Sequence, residues 1–197
     1  TLTDKRALVC GSSQGIGLAT AIDLADMGAT VTLMARNRES LEKARGALPQ
    51  LQGQQHDMVV ADFSQPDSVR KAIDTYLAET GNVFHILINN TGGPPGVPIT
   101  EAKIEDFNQA YAMHLASNQH LAQALIPGMR DAGYGRIINV ISTSVKIPIK
   151  GLGVSNTTRG AVANWSKTWA NEVAHHGITV NNVLPGMTDT ERLRNLI

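Results

Sequence analysis

The sequence has few of the features that substitute for an ordinary hydrophobic core. One cysteine, Cys10, stands among 197 residues, so no disulfide can form within the chain. A chain of this length buries roughly 70% of the surface its unfolded form exposes, enough to hold a core without disulfide or metal. An excess of one charge is missing too, because 17 Lys and Arg balance 17 Asp and Glu. With no basic run either, there is no electrostatic footprint for a phosphate backbone, and a nucleic-acid partner is not expected. No apolar run approaches the ~20 residues of a membrane span, and the N-terminus lacks the basic-then-apolar order of a secretory signal. Cytoplasm is therefore the expected location, with small molecules or further copies of the chain as partners. Three Asn-x-Ser/Thr triplets, beginning at Asn89, Asn156 and Asn164, are read as chance. Tyrosine is scarce as well, at Tyr76, Tyr111 and Tyr134 only.

What is present alternates. Arg6 to Cys10 is a short apolar run that meets a glycine-rich turn, and Ile16 to Met27 carries apolar residues at helical spacing. The same strand-then-helix order follows in Thr30–Met34 and Arg38–Ala47, then in Met58–Ala61 and Val69–Thr80. His85–Asn89 reads as a fourth strand, the Gly- and Pro-rich stretch Thr91–Pro98 as loop, and Ile104–Asp131 as one long helix. Arg136–Ile141, Gly160–His176 and Thr179–Leu184 complete the series as strand, helix and strand. Continuous apolar strands joined by helix-length crossovers predict a doubly wound parallel α/β sheet, a Rossmann fold, in one domain over residues 1–197.

The turn after the first strand is Gly11-Ser12-Ser13-Gln14-Gly15-Ile16-Gly17. Glycines so spaced between a strand and a helix allow a tight bend and let backbone N–H groups and the helix N-terminus approach a pyrophosphate. The plainer alternative is a structural glycine turn. The second strand ends in Met34-Ala35-Arg36-Asn37-Arg38, where an NAD site usually has a carboxylate for the ribose 2′-hydroxyl. No acid is there and two arginines are, so NADP is expected over NAD, with Arg36 on the 2′-phosphate. The alternative is that Arg36 and Arg38 only solvate a loop and open a helix.

Together these motifs resemble the short-chain dehydrogenase/reductase family over essentially the whole chain. Asp62 after the third strand matches the family residue beside the adenine ring. Asn89-Asn90-Thr91-Gly92 is similar to the family's Asn-Asn-Ala-Gly signature. Asn181 and Pro185-Gly186 match the region after the sixth strand, with Thr188 and Thr190 placed for the nicotinamide carboxamide. The resemblance implies a cofactor site including Gly11, Ser13, Gly15, Ile16, Gly17, Arg36, Asp62, Asn89, Arg159, Pro185, Gly186, Thr188 and Thr190. It also implies a seventh strand and a substrate-selecting lid, both expected to be missing from a chain that stops at Ile197.

The family's catalytic set is Asn, Ser, Tyr and Lys, and here only the Ser is matched, by Ser142. Where the resemblance places Tyr stands Ser155, and where it places Lys stands Arg159, with Lys167, Glu172 and Asn181 in family register behind them. No tyrosine follows Tyr134, so no shift of alignment restores the pair. An alcohol is a far weaker acid than a phenol of pKa ≈ 10, and Arg stays charged. The Asn position holds His114, whose ordinary pKa near neutrality makes it a candidate proton shuttle; a core-facing helix histidine is the plainer reading. Lys146 and Lys150 read as solvated loop charges. His175-His176 lack a third ligand, and His114 and His120 do not share a helix face, so no metal site is expected.

Ala161, Trp165, Trp169 and Val173 recur every four residues and are read as core or as a subunit interface, since the family pairs these helices between subunits. The expected molecule is thus an NADP-preferring oxidoreductase, similar to 3-oxoacyl reductases, that moves hydride between nicotinamide and a carbonyl or secondary alcohol, as a homodimer or homotetramer. The alternative is a silent or very slow relative that binds NADP(H) as a sensor or assembly subunit.

Overall fold

The computed structural model describes residues 1–194. Six strands, β1 (Arg6–Cys10), β2 (Thr30–Ala35), β3 (Asp57–Val60), β4 (Ile86–Asn89), β5 (Gly135–Val140) and β6 (Ile178–Val183), form one sheet. Their order is β3-β2-β1-β4-β5-β6 and every pairing is parallel. This is the doubly wound Rossmann arrangement, whose strand order reverses between β1 and β4 and opens a crevice there.

Strand alternation assigns the two faces. On β1, Ala7 and Val9 pack with Ala21 and Ala25 of α1 (Gly15–Asp26) and Leu41 and Ala44 of α2 (Arg38–Gly46). Leu8 and Cys10 point the other way, toward α3 (Pro66–Thr80), α5 (Ser117–Asp131) and α6 (Gly153–Val173). Both faces of β1 are therefore dry, which is why it reads as an unbroken apolar run. No described helix is long and apolar enough to cross a membrane.

Two helices differ from their sequence reading. The expected helix Ile104–Asp131 is α4 (Ile104–Tyr111), one π turn (Ala112–Ala116) and α5. The wider turn carries His114, which is buried; single π turns of this kind recur at functional sites. The other difference is α6, which begins at Gly153 rather than Gly160. Its first turns are rich in Ser, Asn and Thr, which compete locally with helix. Here Thr157 and Thr158 instead donate their hydroxyls to the Gly153 and Val154 carbonyls within the helix.

At the opposite end of the sheet, His85 Nδ1 accepts the Arg6 backbone N–H at 3.1 Å. That bond requires a bare Nδ1, and burial first, then the charges of Lys5 and Arg6, hold the ring's pKa below its ordinary 6.5. A base whose folded pKa lies below its unfolded one contributes stability that is complete above the unfolded value and is lost as pH falls toward the folded one. The urea midpoint should accordingly drop as pH is lowered from neutrality through 6.5. It should drop less in His85→Gln, whose amide oxygen can accept the same N–H without titrating.

Candidate functional site

A cleft of about 390 Å³ opens at the carboxyl ends of β1 and β4, lined by Gly11, Ser13, Gly15, Ile16, Arg36 and Asp62, among others. The loop after β1 is shaped from both sides. Gly11 has φ +56°, and a β-carbon there would lie 2.6 Å from the Asn90 carbonyl oxygen. A β-carbon on Gly17 would run into the Gly11 carbonyl, so the loop packs directly on the first turn of α1. Side chains pin it further. The buried Ser12 hydroxyl accepts the Met34 N–H at 3.1 Å, and Asn90 Nδ2 lies 3.2 Å from the Gly11 carbonyl and 3.3 Å from that of Cys10. Burial pushes the Cys10 thiol's pKa far up, so it stays neutral beneath the loop.

The arginines after β2 separate in space. Arg36 lines the cleft, whereas Arg38 is the first residue of α2, whose N-cap is Asn37 with Oδ1 accepting the Ser40 N–H at 2.8 Å. Asp62 also lines the cleft, with Oδ1 held by the Ser64 N–H and hydroxyl at 2.9 and 2.8 Å. Thr190 borders the cleft beside Gly15, while Thr188 is exposed and outside it. Pro185 and Gly186 are outside it too, and the Pro185 carbonyl accepts the Thr143 N–H, tying the segment after β6 to the one after β5.

Asn89, expected in the cofactor site, does not line the cleft. It is the last residue of β4, 2% exposed, and turns into the sheet, where Nδ2 donates to Asn139 Oδ1 at 2.8 Å. The next residue, Asn90, leaves the strand and lines the cleft with Thr91, Gly92 and Gly93. Strand alternation, which turns consecutive side chains to opposite sides, separates the two asparagines. Gln14, Ala35, Phe63, Met113 and Glu191 also line the cleft and were not foreseen.

Ser142, Ser155, Arg159 and His114 do not line that cleft; they belong to the adjoining end of β5. Ser142 follows the strand, with its hydroxyl accepting the Ser144 N–H at 3.1 Å. Ser155 and Arg159 are buried one turn apart on α6, and Arg159 Nη1 donates to the Val140 carbonyl at 2.7 Å. The π turn with His114 packs against the same helix. Lys146 and Lys150 are exposed.

On the outer side of α6, Trp165 and Trp169 meet edge to face, 6.3 Å between centroids, and both indole N–H groups point at Gln119 Oε1, at 2.7 and 3.1 Å. Among the described residues no group of three His, Cys, Asp or Glu could hold a metal ion.

Known proteins share this layout. The family model for short chain dehydrogenase matches residues 5–197. Gluconate 5-dehydrogenase of Gluconobacter oxydans (strain 621H) is 32% identical over the whole chain and 76% of its own length. L-sorbose reductase of Gluconobacter frateurii, solved with NADPH and L-sorbose, superposes with a TM-score of 0.89 at 33% identity, covering 96% of this chain and 72% of that one. A gluconate 5-dehydrogenase of Burkholderia cenocepacia J2315, solved with NADP and tartrate, gives 0.90 at 31% identity over 99% and 76%. With the strand order, the glycine loop and a family match over nearly every residue in agreement, the chain belongs to the short chain dehydrogenase family.

Proposed function

We propose that this protein is an NADP-preferring oxidoreductase acting on a small carbonyl compound or secondary alcohol. The observation that carries the cofactor choice is Arg36 lining the cleft at the end of β2, where no acidic side chain stands to select a ribose 2′-hydroxyl. The glycine loop suits the diphosphate: positive φ at Gly11 and Gly15 and a bare Gly17 bring backbone amides and the α1 N-terminus to the cleft wall. Ser13 and Ile16 would flank the diphosphate, Asp62 would border the adenine, and Pro185, Gly186, Thr188 and Thr190 would lie toward the nicotinamide end. When bound, the nicotinamide supplies or accepts the hydride.

The chain's own residues then have to orient the carbonyl and manage one proton. Ser142 would donate a hydrogen bond to the carbonyl oxygen, and Arg159 would hold the nicotinamide ribose. Proton delivery falls to Ser155, to His114 through water, or to solvent. Gln119, Trp165 and Trp169 suit a subunit face, in a homodimer or homotetramer.

One observation favours the slower alternative, a cofactor-binding relative with little or no turnover. Arg159 spends a donor on the Val140 carbonyl and so acts as a structural pin. Incubation with NADPH and a panel of ketones and aldehydes, beside a direct binding titration, separates the two. Oxidation of NADPH above background supports the enzyme; tight binding without oxidation supports the silent relative, and no binding refutes both. In Arg36→Asp, affinity for NADPH should fall about tenfold or more relative to NADH, the worth of one charged hydrogen-bonded contact. An unchanged ratio in that variant would remove Arg36 from the 2′-phosphate site.

A further inference from the structure

The carboxyl ends of β4, β5 and β6 each carry an asparagine in one row: Asn89 pairs with Asn139, and Asn139 with Asn182. All three lie on the face covered by α3, α5 and α6, since Leu87 and Ile137, two residues earlier, belong to that face's core. Asparagine is a poor strand residue, and a buried amide calls for hydrogen-bond partners. Asn89 and Asn139 are 2% and 1% exposed. Their bonds form a path. Asn139 Oδ1 accepts Asn89 Nδ2 at 2.8 Å, and Asn139 Nδ2 reaches Ser166 Oγ at 2.9 Å and Asn182 Oδ1 at 3.2 Å. Ser166, in turn, lies 2.7 Å from Asn182 Oδ1.

The path has a functional group at each end. Beyond Asn89 is Asn90, whose amide holds the carbonyls of Cys10 and Gly11 in the glycine loop. Beyond Ser166, on the same buried face of α6, are Val162, Arg159 and Ser155. An apolar row would let α6 slide over β5, whereas a row of directional bonds is satisfied in one register only.

We infer that Asn139 is a positioning residue, the hub that holds the glycine loop and the first turns of α6 in register. Its consequence for cofactor binding rests on the nucleotide-site reading proposed above; its effect on the loop does not. Cys10 supplies a reporter. It is the chain's one thiol, and it follows Val9, the register partner of Ile88, so it is the next side chain in the row beside Asn89. In the intact protein it is buried and neutral, hence slow toward thiol reagents.

The test labels Cys10 with a thiol reagent under native conditions in the full chain and in Asn139→Ala, Ser166→Ala and Val162→Ala, with Tm and NADPH affinity measured on each. Val162→Ala opens a cavity on the same helix face and keeps the Val162 backbone carbonyl that accepts the Ser166 hydroxyl, so it controls for destabilisation alone. Labelling should speed up by at least about tenfold in Asn139→Ala and about threefold in Ser166→Ala, through local opening. It should stay within about twofold in Val162→Ala at comparable loss of Tm. NADPH affinity should fall about tenfold in Asn139→Ala and stay level in Val162→Ala. Equal acceleration in Val162→Ala, or none in the two polar variants, overturns the inference. If Asn139→Ala does not fold, Ser166→Ala against Val162→Ala decides it. Wild-type protein that binds no NADPH would refute the nucleotide site while the labelling rates still decide the role of Asn139.

Discussion

Gly17→Ala is expected to lose nucleotide binding almost completely. The added β-carbon meets the Gly11 carbonyl oxygen and carbon and the Asn90 amide together, and two of those three are backbone atoms that cannot rotate away. Either α1 retreats from the loop or the loop opens, and both destroy the approach of backbone amides to a diphosphate. Overpacking of this kind costs about 1–3 kcal/mol, and most of it falls on the loop that binds, so affinity for NADPH should drop by about a hundredfold. Gly92→Ala is the matched control. Gly92 lines the cleft, but a β-carbon there has nothing within 4 Å, and binding should survive. Titration of both variants by nicotinamide fluorescence checks the pair. Near-normal affinity in Gly17→Ala would remove the nucleotide from this cleft.

A gain of function is expected from Ser155→Tyr combined with Arg159→Lys. Both positions are on the buried face of α6, one turn apart, beside the end of β5. A serine hydroxyl is a poor acid at neutral pH, and a guanidinium does not give up its proton. A phenol beside an ammonium group would supply a positioned proton donor, worth about 10²–10⁴ in rate. Turnover of NADPH with a ketone should rise by that order in the double variant. It should rise less in Ser155→Tyr alone, because Arg159 remains tied to the Val140 carbonyl. The faster enzyme should also acquire a pH dependence on the alkaline side. A double variant that binds NADPH as well as wild type but turns over no faster would show that positions 155 and 159 do not govern proton transfer.

Much of this arrangement was legible in the residues themselves. Each β-strand was located to within a residue or two, because a strand buried on both faces is a short run of apolar residues with glycine, proline or charge at its ends. The glycine loop was legible for a local reason as well: positive φ and close packing exclude every residue with a β-carbon. Arg36 could be singled out from the absence of an acid after β2, but Arg36 and Arg38 could be told apart only once Asn37 was seen to cap α2 between them.

Where the sequence reading failed, distant parts of the chain had decided the outcome. The start of α6 at Gly153 goes against the local preference of Ser155, Asn156, Thr157 and Thr158, and the carboxyl end of β5, which receives Arg159, holds those turns. That Asn89 turns into the sheet is not legible locally, because its partner, Asn139, lies 50 residues away and only the β4–β5 register brings them together. Ser166 and Asn139, 27 residues apart, meet because α6 docks over the sheet. The sequence by itself determined the alternation of strands and helices and the glycine turn, since each depends on residues within one turn or one strand. Which polar side chains face the cleft and which are spent inside the sheet was decided only by tertiary structure, because hydrogen-bond partners are chosen by strand register and helix docking rather than by neighbours in the chain.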